Sequence, residues 1–307
     1  MSDQPGSALG FIGVSTAGSS IQRVFPLWAE ALGLPGAHLV GHDLPLDAPD
    51  GDYRKTVELL RDDQRYAGAL VTSHKTGVYR AAGDLFDEVD RFGRLCGEVS
   101  AVSKRGGRLL GHAKDPLTAG LSLEEFLSPT HFADTGGDVL VLGSGGAGTA
   151  IAWYLANRPD RPARIVATSL DRGPLDSLGT VLAEAAPGGP GPEPVVLEPV
   201  VVDGPADDLL SGLPPGSLVV NATGMGKDLP GSPISDRARF PDSAIAWEIN
   251  YRGELDFLRQ ARAAGTHSVD GWRYFVHGWS QAVAEVFDLG ISQEEVSRLS
   301  ELAEGVR

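Results

Sequence analysis

Gly143-Ser-Gly145-Gly-Ala-Gly148 has the spacing G-x-G-x-x-G and follows directly on the apolar run Val139-Leu-Val-Leu142. That spacing suits a dinucleotide pyrophosphate. The first glycine makes the tight turn, the second lets backbone approach the phosphates, and the third lets the next helix pack on the strand. Unpaired N–H groups and the dipole at that helix start favour negative charge. Gly143, Ser144, Gly145, Gly146, Ala147 and Gly148 are therefore the candidate cofactor cradle. In a chain with 40 glycines the competing reading is a structural turn, and the buried strand before it with the apolar-periodic helix after it favour the nucleotide. The strand after this unit ends in Thr168-Ser169-Leu170-Asp171-Arg172, where the adenosine ribose is read. Asp171 would accept from a ribose 2′-OH and favour NAD, whereas Thr168, Ser169 and Arg172 would suit the 2′-phosphate of NADP. These residues contain both kinds of group and leave the choice open.

The elements that position this loop alternate along the chain. Leu9-Gly-Phe-Ile-Gly-Val14, His38 to His42 and Gly68-Ala-Leu-Val-Thr72 read as short strands, separated by helical patterns over 22–32 and 53–65. In the second helix Val57, Leu59 and Leu60 are available to a core. A glycine-bounded hairpin is expected between Gly97 and Gly111, and a helix after Leu121 runs toward the break at Thr135-Gly-Gly. A second series follows: strands at 138–142, 164–168, 217–221 and 244–250, with helices over 149–157 and 254–264 and a last one over 276–289. Gly265 is placed as a helix stop. Pro187 to Pro194 is a Pro/Gly-rich surface loop. Strands alternating with helices predict a mostly parallel sheet covered on both faces, built twice.

Composition narrows the function classes. The 307 residues, 42% of them hydrophobic, are enough for two domains of about 100–200 residues each. A net charge of −15 repels phosphate backbones and anionic lipid, which argues against nucleic acid or membrane partners. The single cysteine, Cys96, allows no intrachain disulfide and reads as a small buried residue; no Cys/His metal spacing is present. The start Met1 to Leu9 lacks the basic and apolar pattern of a signal peptide, and no apolar run reaches the length of a membrane span. A cytoplasmic protein, monomer or homodimer, is expected.

Five pieces in one order carry a resemblance: Gly68-Ala-Leu-Val-Thr-Ser-His-Lys75; Gly111-His-Ala-Lys-Asp115 with Gly120; Gly143 to Gly148; Val220-Asn-Ala-Thr223-Gly-Met225; and Asp270-Gly271 before the last long helix. The chain resembles the shikimate dehydrogenase family over nearly its whole length. The resemblance implies an α/β fold with an N-terminal substrate domain, 1–118, completed by C-terminal helices in 272–307. It further implies a doubly wound Rossmann domain over 119–271 that would bind NADP or NAD, with NADP favoured by family habit, and a substrate held in a cleft between the two. It assigns Lys75 and Asp115 as the catalytic pair and adds Asn221, Ala222, Thr223 and Met225 to the cofactor site. The chemistry is coherent: an ammonium near a carbonyl oxygen stabilises the developing alkoxide and donates the proton, while the carboxylate orients it. Read alone, Lys75 is a surface lysine at a helix start and Asp115 a loop acid or cap.

The departures from the family bear on the substrate. Where the family holds the shikimate carboxylate with Ser-x-Ser-Pro, this chain has Ala17-Gly-Ser19-Ser20-Ile21-Gln22, so one serine is kept. Leu70 stands for an asparagine, the proline before the lysine is absent, Ala113-Lys114 replaces Asn-Thr before the aspartate, Ser100-Ala101 replaces another Asn-Thr, and the substrate glutamine falls near Gly278. Candidate substrate contacts are Ser19, Thr72, His74, Ser100, Lys114, Tyr251, His277 and Gln281, with Lys114 suited to an anionic group. A pocket stripped of several polar anchors is rebuilt for something else. The expectation is an NAD(P)-dependent alcohol dehydrogenase or ketoreductase acting on a small hydroxylated cyclic substrate other than shikimate. The alternatives are an authentic shikimate or quinate dehydrogenase and, in another class, a non-catalytic dinucleotide sensor. No metal is expected.

Overall fold

The computed structural model describes residues 6–184, 193–227 and 229–307. Residues 187–192 of the expected Pro/Gly-rich loop lie outside the described residues. The chain divides into two units, Met1–Lys114 with Val276–Arg307, and Asp115–Phe275.

The first unit contains β1 (Ala8–Gly13), α1 (Ile21–Ala31), β2 (His38–Asp43), α2 (Asp50–Asp62), β3 (Tyr66–Val71), α3 (Lys75–Ala82), β4 (Glu88–Val89), α4 (Arg91–Cys96), β5 (Ala101–Arg105) and β6 (Arg108–His112). Its six-stranded sheet has the order β2-β1-β3-β5-β6-β4. β1 pairs in parallel with β2 and β3, and the expected hairpin β5–β6 joins the sheet antiparallel to β3. The amphipathic α2 turns Tyr53, Val57 and Leu60 inward at helical spacing. Leu59 was expected to join them but lies off that face and is 43% exposed. Cys96, expected to be buried, is half-buried.

The second unit contains α5 (Asp115–Leu123), α6 (His131–Thr135), β7 (Val139–Leu142), α7 (Gly146–Asn157), β8 (Arg164–Ser169), α8 (Arg172–Ala183), β9 (Val196–Val201), α9 (Asp207–Ser211), β10 (Leu218–Asn221), β11 (Ile245–Glu248), α10 (Asp256–Ala263) and β12 (His267–Val269). All six strands are parallel, in the order β12-β11-β10-β7-β8-β9. The chain winds outward from β7 to one edge, returns to β10 and winds to the other, which is the doubly wound Rossmann arrangement. Alternate residues of one strand feed two different cores. Val139, Val141, Leu218 and Val220 pack on one face, and Leu140, Leu142, Val219 and Ala246 on the other. That two-sided burial is why these strands read as continuous apolar runs rather than alternating ones. Helix α11 (Trp272–Val286) carries the chain out of the second unit, and α12 (Gln293–Glu304) ends it behind a Ser292/Glu295 capping box.

Two helices start earlier than expected. α5 begins at Asp115 rather than near Leu121, with Pro116 in the first turn, where proline is tolerated. α7 begins at Gly146, inside the glycine motif. Among the described residues no helix is long and apolar enough to cross a membrane, and no cluster of three or more His, Cys, Asp or Glu could hold a metal.

Candidate functional site

The glycine loop leaves the carboxyl end of β7 next to β10, where the winding of the sheet reverses. Each of its glycines meets a different neighbourhood. Gly143 has φ +96°, and a Cβ there would sit 2.8 Å from the Ala222 carbonyl oxygen. A Cβ on Gly148 would sit 2.0 Å from the Gly143 carbonyl oxygen, so only glycine lets α7 pack this close to the loop. Gly145 caps α7, and a Cβ there would meet no protein atom within 4 Å. The exposed, open position at the helix N-terminus is where an anion would be received; Gly146 is likewise exposed and Ala147 half-buried.

Thr168 has a task inside the protein. Its carbonyl oxygen accepts from Gly143 N at 3.2 Å and Ser144 Oγ at 2.9 Å, and its Oγ1 lies 3.3 Å from Gly143 N as a further acceptor. Buried Thr168 and Ser144 therefore tie β8 to the loop, leaving half-buried Ser169 and exposed Asp171 and Arg172 toward solvent. Arg172 pairs with Asp176 at 2.8 Å on exposed helix surface.

After β10, Asn221 Oδ1 accepts from Thr223 N at 3.1 Å and Thr223 Oγ1 at 2.7 Å; Thr223 Oγ1 accepts in turn from Met225 N at 3.1 Å. Ala222 N donates to Leu142 O at 2.8 Å. The Asn221–Met225 segment is thus hydrogen-bonded into a turn against the glycine loop. Sequence reasoning missed Glu248, the fully buried last residue of β11. It accepts from Asn221 Nδ2 at 2.5 Å and from Asn250 N and Nδ2 at 2.8 and 2.7 Å. Burial pushes its carboxyl up to about 7, against the pull of the Asn250 and Asn221 donors and of Lys227. The signal was present: a lone carboxylate inside the otherwise apolar run Ala244 to Ile249. Tyr251 stacks edge-on against Trp272 and Phe275, with ring centroids 5.2 and 4.5 Å away.

In the first unit, Lys75 is the first residue of α3, and its carbonyl oxygen accepts from Val99 N at 3.1 Å. Asp115, the buried first residue of α5, belongs to the second unit. Thr72 donates from Oγ1 to Ile12 O at 3.2 Å. His74 departs from the substrate contact that the sequence suggested. It is 2% exposed, with Nδ1 bonded to the Tyr53 hydroxyl at 2.9 Å and Nε2 to the Leu44 carbonyl at 2.9 Å. The carbonyl requires the proton on Nε2, so Tyr53 donates to Nδ1, and burial holds the ring below its usual pKa despite the Leu44 bond. Both nitrogens are used within the protein, in the residue directly before Lys75.

Ser100 is occupied in the same way. Its hydroxyl accepts from Lys114 N at 2.7 Å and donates to His112 O at 3.3 Å. The Lys114 ammonium, expected to be available for an anionic group, is paired with Glu285 of α11. Arg105 also pairs with Glu285, at 2.8 Å, and His112 lies 3.4 Å from it. Ser19 and His277 are buried and Gln281 is half-buried. A cavity of about 800 Å³ at the opposite, amino-terminal edge of the second sheet, bordered by Phe132, Gly137, Ala163 and Val196, contains none of the candidate residues.

Burial pushes the Glu285 carboxyl up, but Lys114, His112 and Arg105 outweigh it and hold it below the usual carboxylate range. A depressed folded-state value contributes stability above the ordinary value of 4.5 and loses it as pH falls through the folded one. Glu285→Gln takes the carboxylate from the Lys114 ammonium, while Arg105 keeps Asp288 at 3.1 Å and His112 keeps Ser103 Oγ at 2.9 Å, and should cost about 1–3 kcal/mol at neutral pH. Denaturant unfolding of both proteins should show the gap closing below pH 4.5; a gap constant from pH 7 to 3 would refute this account.

No protein-family model matches the chain. A curated relative from Symbiobacterium thermophilum, named shikimate dehydrogenase (NADP(+)), is 29% identical over 276 residues, 89% of this chain and 86% of the relative. Another of the same name, from Paramagnetospirillum magneticum, is 30% identical over 278 residues, 87% of this chain and 88% of the relative. The chain belongs to the shikimate dehydrogenase family. Solved structures share the fold of the family across nearly the whole chain. A shikimate 5-dehydrogenase from Thermus thermophilus, in complex with NADP(H) and shikimate, superposes with a TM-score of 0.71 at 24% identity, covering 98% of this chain and 99% of that one. The ligand-free 5-ketofructose reductase of a Gluconobacter strain gives 0.70 at 20% identity, covering 98% and 99%.

Proposed function

We propose that the protein is an NAD(P)-dependent oxidoreductase that interconverts a secondary alcohol and a ketone on a small hydroxylated cyclic substrate other than shikimate. The observation that carries the reading is the glycine loop, with Gly145 open where a dinucleotide pyrophosphate would lie and Gly148 too crowded for any side chain. When bound, the dinucleotide supplies or accepts a hydride at the substrate carbon. In the reducing direction the Lys75 ammonium bonds the carbonyl oxygen and gives up a proton to it as the hydride arrives, so that neutral alcohol leaves. Asp115 accepts a hydrogen bond from the neighbouring ring hydroxyl and fixes the substrate's orientation. In oxidation the same lysine, deprotonated, takes the hydroxyl proton. Ser19, Thr72, Tyr251, His277 and Gln281 are kept as candidate substrate contacts, Thr72 through whatever capacity its bond to Ile12 O leaves, while His74, Ser100 and Lys114 are engaged by internal partners.

That internal use supports the departure from shikimate. A substrate carboxylate needs donors held free for it, and the kept serine, Ser19, stands without the second serine of the family pattern. A pocket whose anchors are missing rejects the substrate those anchors served, commonly by orders of magnitude. A second reading is oxidation of shikimate or quinate proper, and the names of the curated relatives favour it for shikimate. Steady-state assays with shikimate and quinate against each cofactor separate the two: turnover of shikimate at kcat/KM above about 10⁴ M⁻¹s⁻¹, an ordinary value for an enzyme on its own substrate, would overturn the first. For the cofactor we favour NADP, with Ser169 and Arg172 at the 2′-phosphate. Fluorescence titration tests this, and tighter NAD than NADP binding, the outcome Asp171 would produce, would refute it.

A further inference from the structure

The carboxylate at the end of β11 is surrounded by donors alone. Glu248 Oε2 receives Asn221 Nδ2, and Oε1 receives both the backbone N–H and the side-chain amide of Asn250. Above its raised value of about 7 the carboxyl is ionised, offers only acceptors and matches all three without conflict. A side-chain amide has two unlike ends, and the neighbour that takes its NH2 decides where its oxygen points. Asn221 spends its NH2 on Glu248, which turns Oδ1 to Thr223, where it accepts from N and Oγ1. Thr223 Oγ1 then holds Met225 N. The backbone so fixed reaches the first glycine of the dinucleotide loop: Ala222 O and the Thr223 Cα lie 2.8 and 3.0 Å from where a Gly143 Cβ would stand.

We infer that Glu248 is a positioning residue for dinucleotide binding, acting through the amide of Asn221 to hold the Ala222–Met225 turn against the glycine loop. The inference rests on the dinucleotide reading above. Its mechanism is hydrogen-bond polarity, and polarity can be inverted. In Glu248→Gln the one amide oxygen is claimed by the two Asn250 donors, so an NH2 group meets the NH2 of Asn221. The donors conflict unless Asn221 flips, and a flipped Asn221 presents donors to the Thr223 N–H. Either way the turn loses its anchor. Adding Asn221→Asp restores a consistent chain, because the new carboxylate accepts from the introduced amide on one side and from Thr223 on the other.

The test is the dissociation constant of NADP and of NAD, by fluorescence titration of the full chain at a pH well above 7, where Glu248 is ionised. Glu248→Gln is expected to weaken binding about 10-fold, equivalent to about 1.4 kcal/mol. The double variant Glu248→Gln/Asn221→Asp should return to within about threefold of wild type; coupling of this sign is the signature of a direct pair. Unchanged affinity in Glu248→Gln overturns the proposal. So does a double variant as weak as the single one, which would make Glu248 a merely structural buried group. Should the buried variants fail to fold, Thr223→Val removes one donor to Asn221 at a half-buried position, and unchanged affinity there overturns the proposal equally. A wild-type protein that binds neither dinucleotide would instead sink the functional reading itself.

Discussion

Replacing Lys75 by alanine is expected to lower turnover of the accepted substrate by about 10²–10⁴-fold, the usual contribution of a positioned general acid. The fold should tolerate the change. Lys75 opens α3, its backbone carbonyl already bonds Val99 N, and alanine is the best helix former. The loss should therefore appear in kcat with little movement in nucleotide affinity or unfolding midpoint. A rate within threefold of wild type would remove Lys75 from the chemistry and leave a nucleotide-binding fold whose proton donor lies elsewhere.

Gly145→Val should abolish dinucleotide binding at accessible concentrations, a loss of at least about 100-fold or 2.7 kcal/mol, and leave stability nearly unchanged. At this position φ is −74°, an ordinary value for any residue, and nothing in the protein lies within 4 Å of a Cβ. The side chain would occupy only the space the pyrophosphate needs. Gly148→Ala makes the contrasting case. Its Cβ would sit 2.0 Å from a backbone oxygen, so helix and loop must move apart, and a penalty of about 1–3 kcal/mol should appear in unfolding even without ligand. Titration and denaturant melts on both variants check the pair. If Gly145→Val binds NADP normally, the loop is a structural turn.

Much of this was legible in the sequence because each signal was local. β7 and β10 are buried on both faces, which leaves unbroken apolar runs, and the glycine spacing records close approaches between neighbours in the chain. The family resemblance fixed the order of the pieces. What stayed hidden were long-range partners. His74 takes its hydrogen bonds from residues 21 and 30 positions away, and Lys114 its counter-charge from 171 positions away. No periodicity encodes those pairings, so both residues read as free polar groups facing a substrate. Leu59 shows the smaller failure: apolar type alone does not say which side of a helix a residue occupies. Glu248 was overlooked because its run looked like an ordinary strand, although an acid within such a run demands donors that the flanking asparagines, Asn221 and Asn250, supply.

The first unit is assembled from the two ends of the chain, and this dictates an order of events during synthesis. Trp28, fully buried, donates from Nε1 to the carbonyl of Leu299 at 2.7 Å, and Arg23 reaches the Val306 carbonyl at 3.0 Å. Because a ribosome releases the chain from its amino end, the middle unit is complete while these tryptophan and arginine groups still wait for their acceptors. A nascent or truncated protein lacking the residues from Arg298 onward would carry an indole without its hydrogen-bond partner, and would be a natural target for proteolysis.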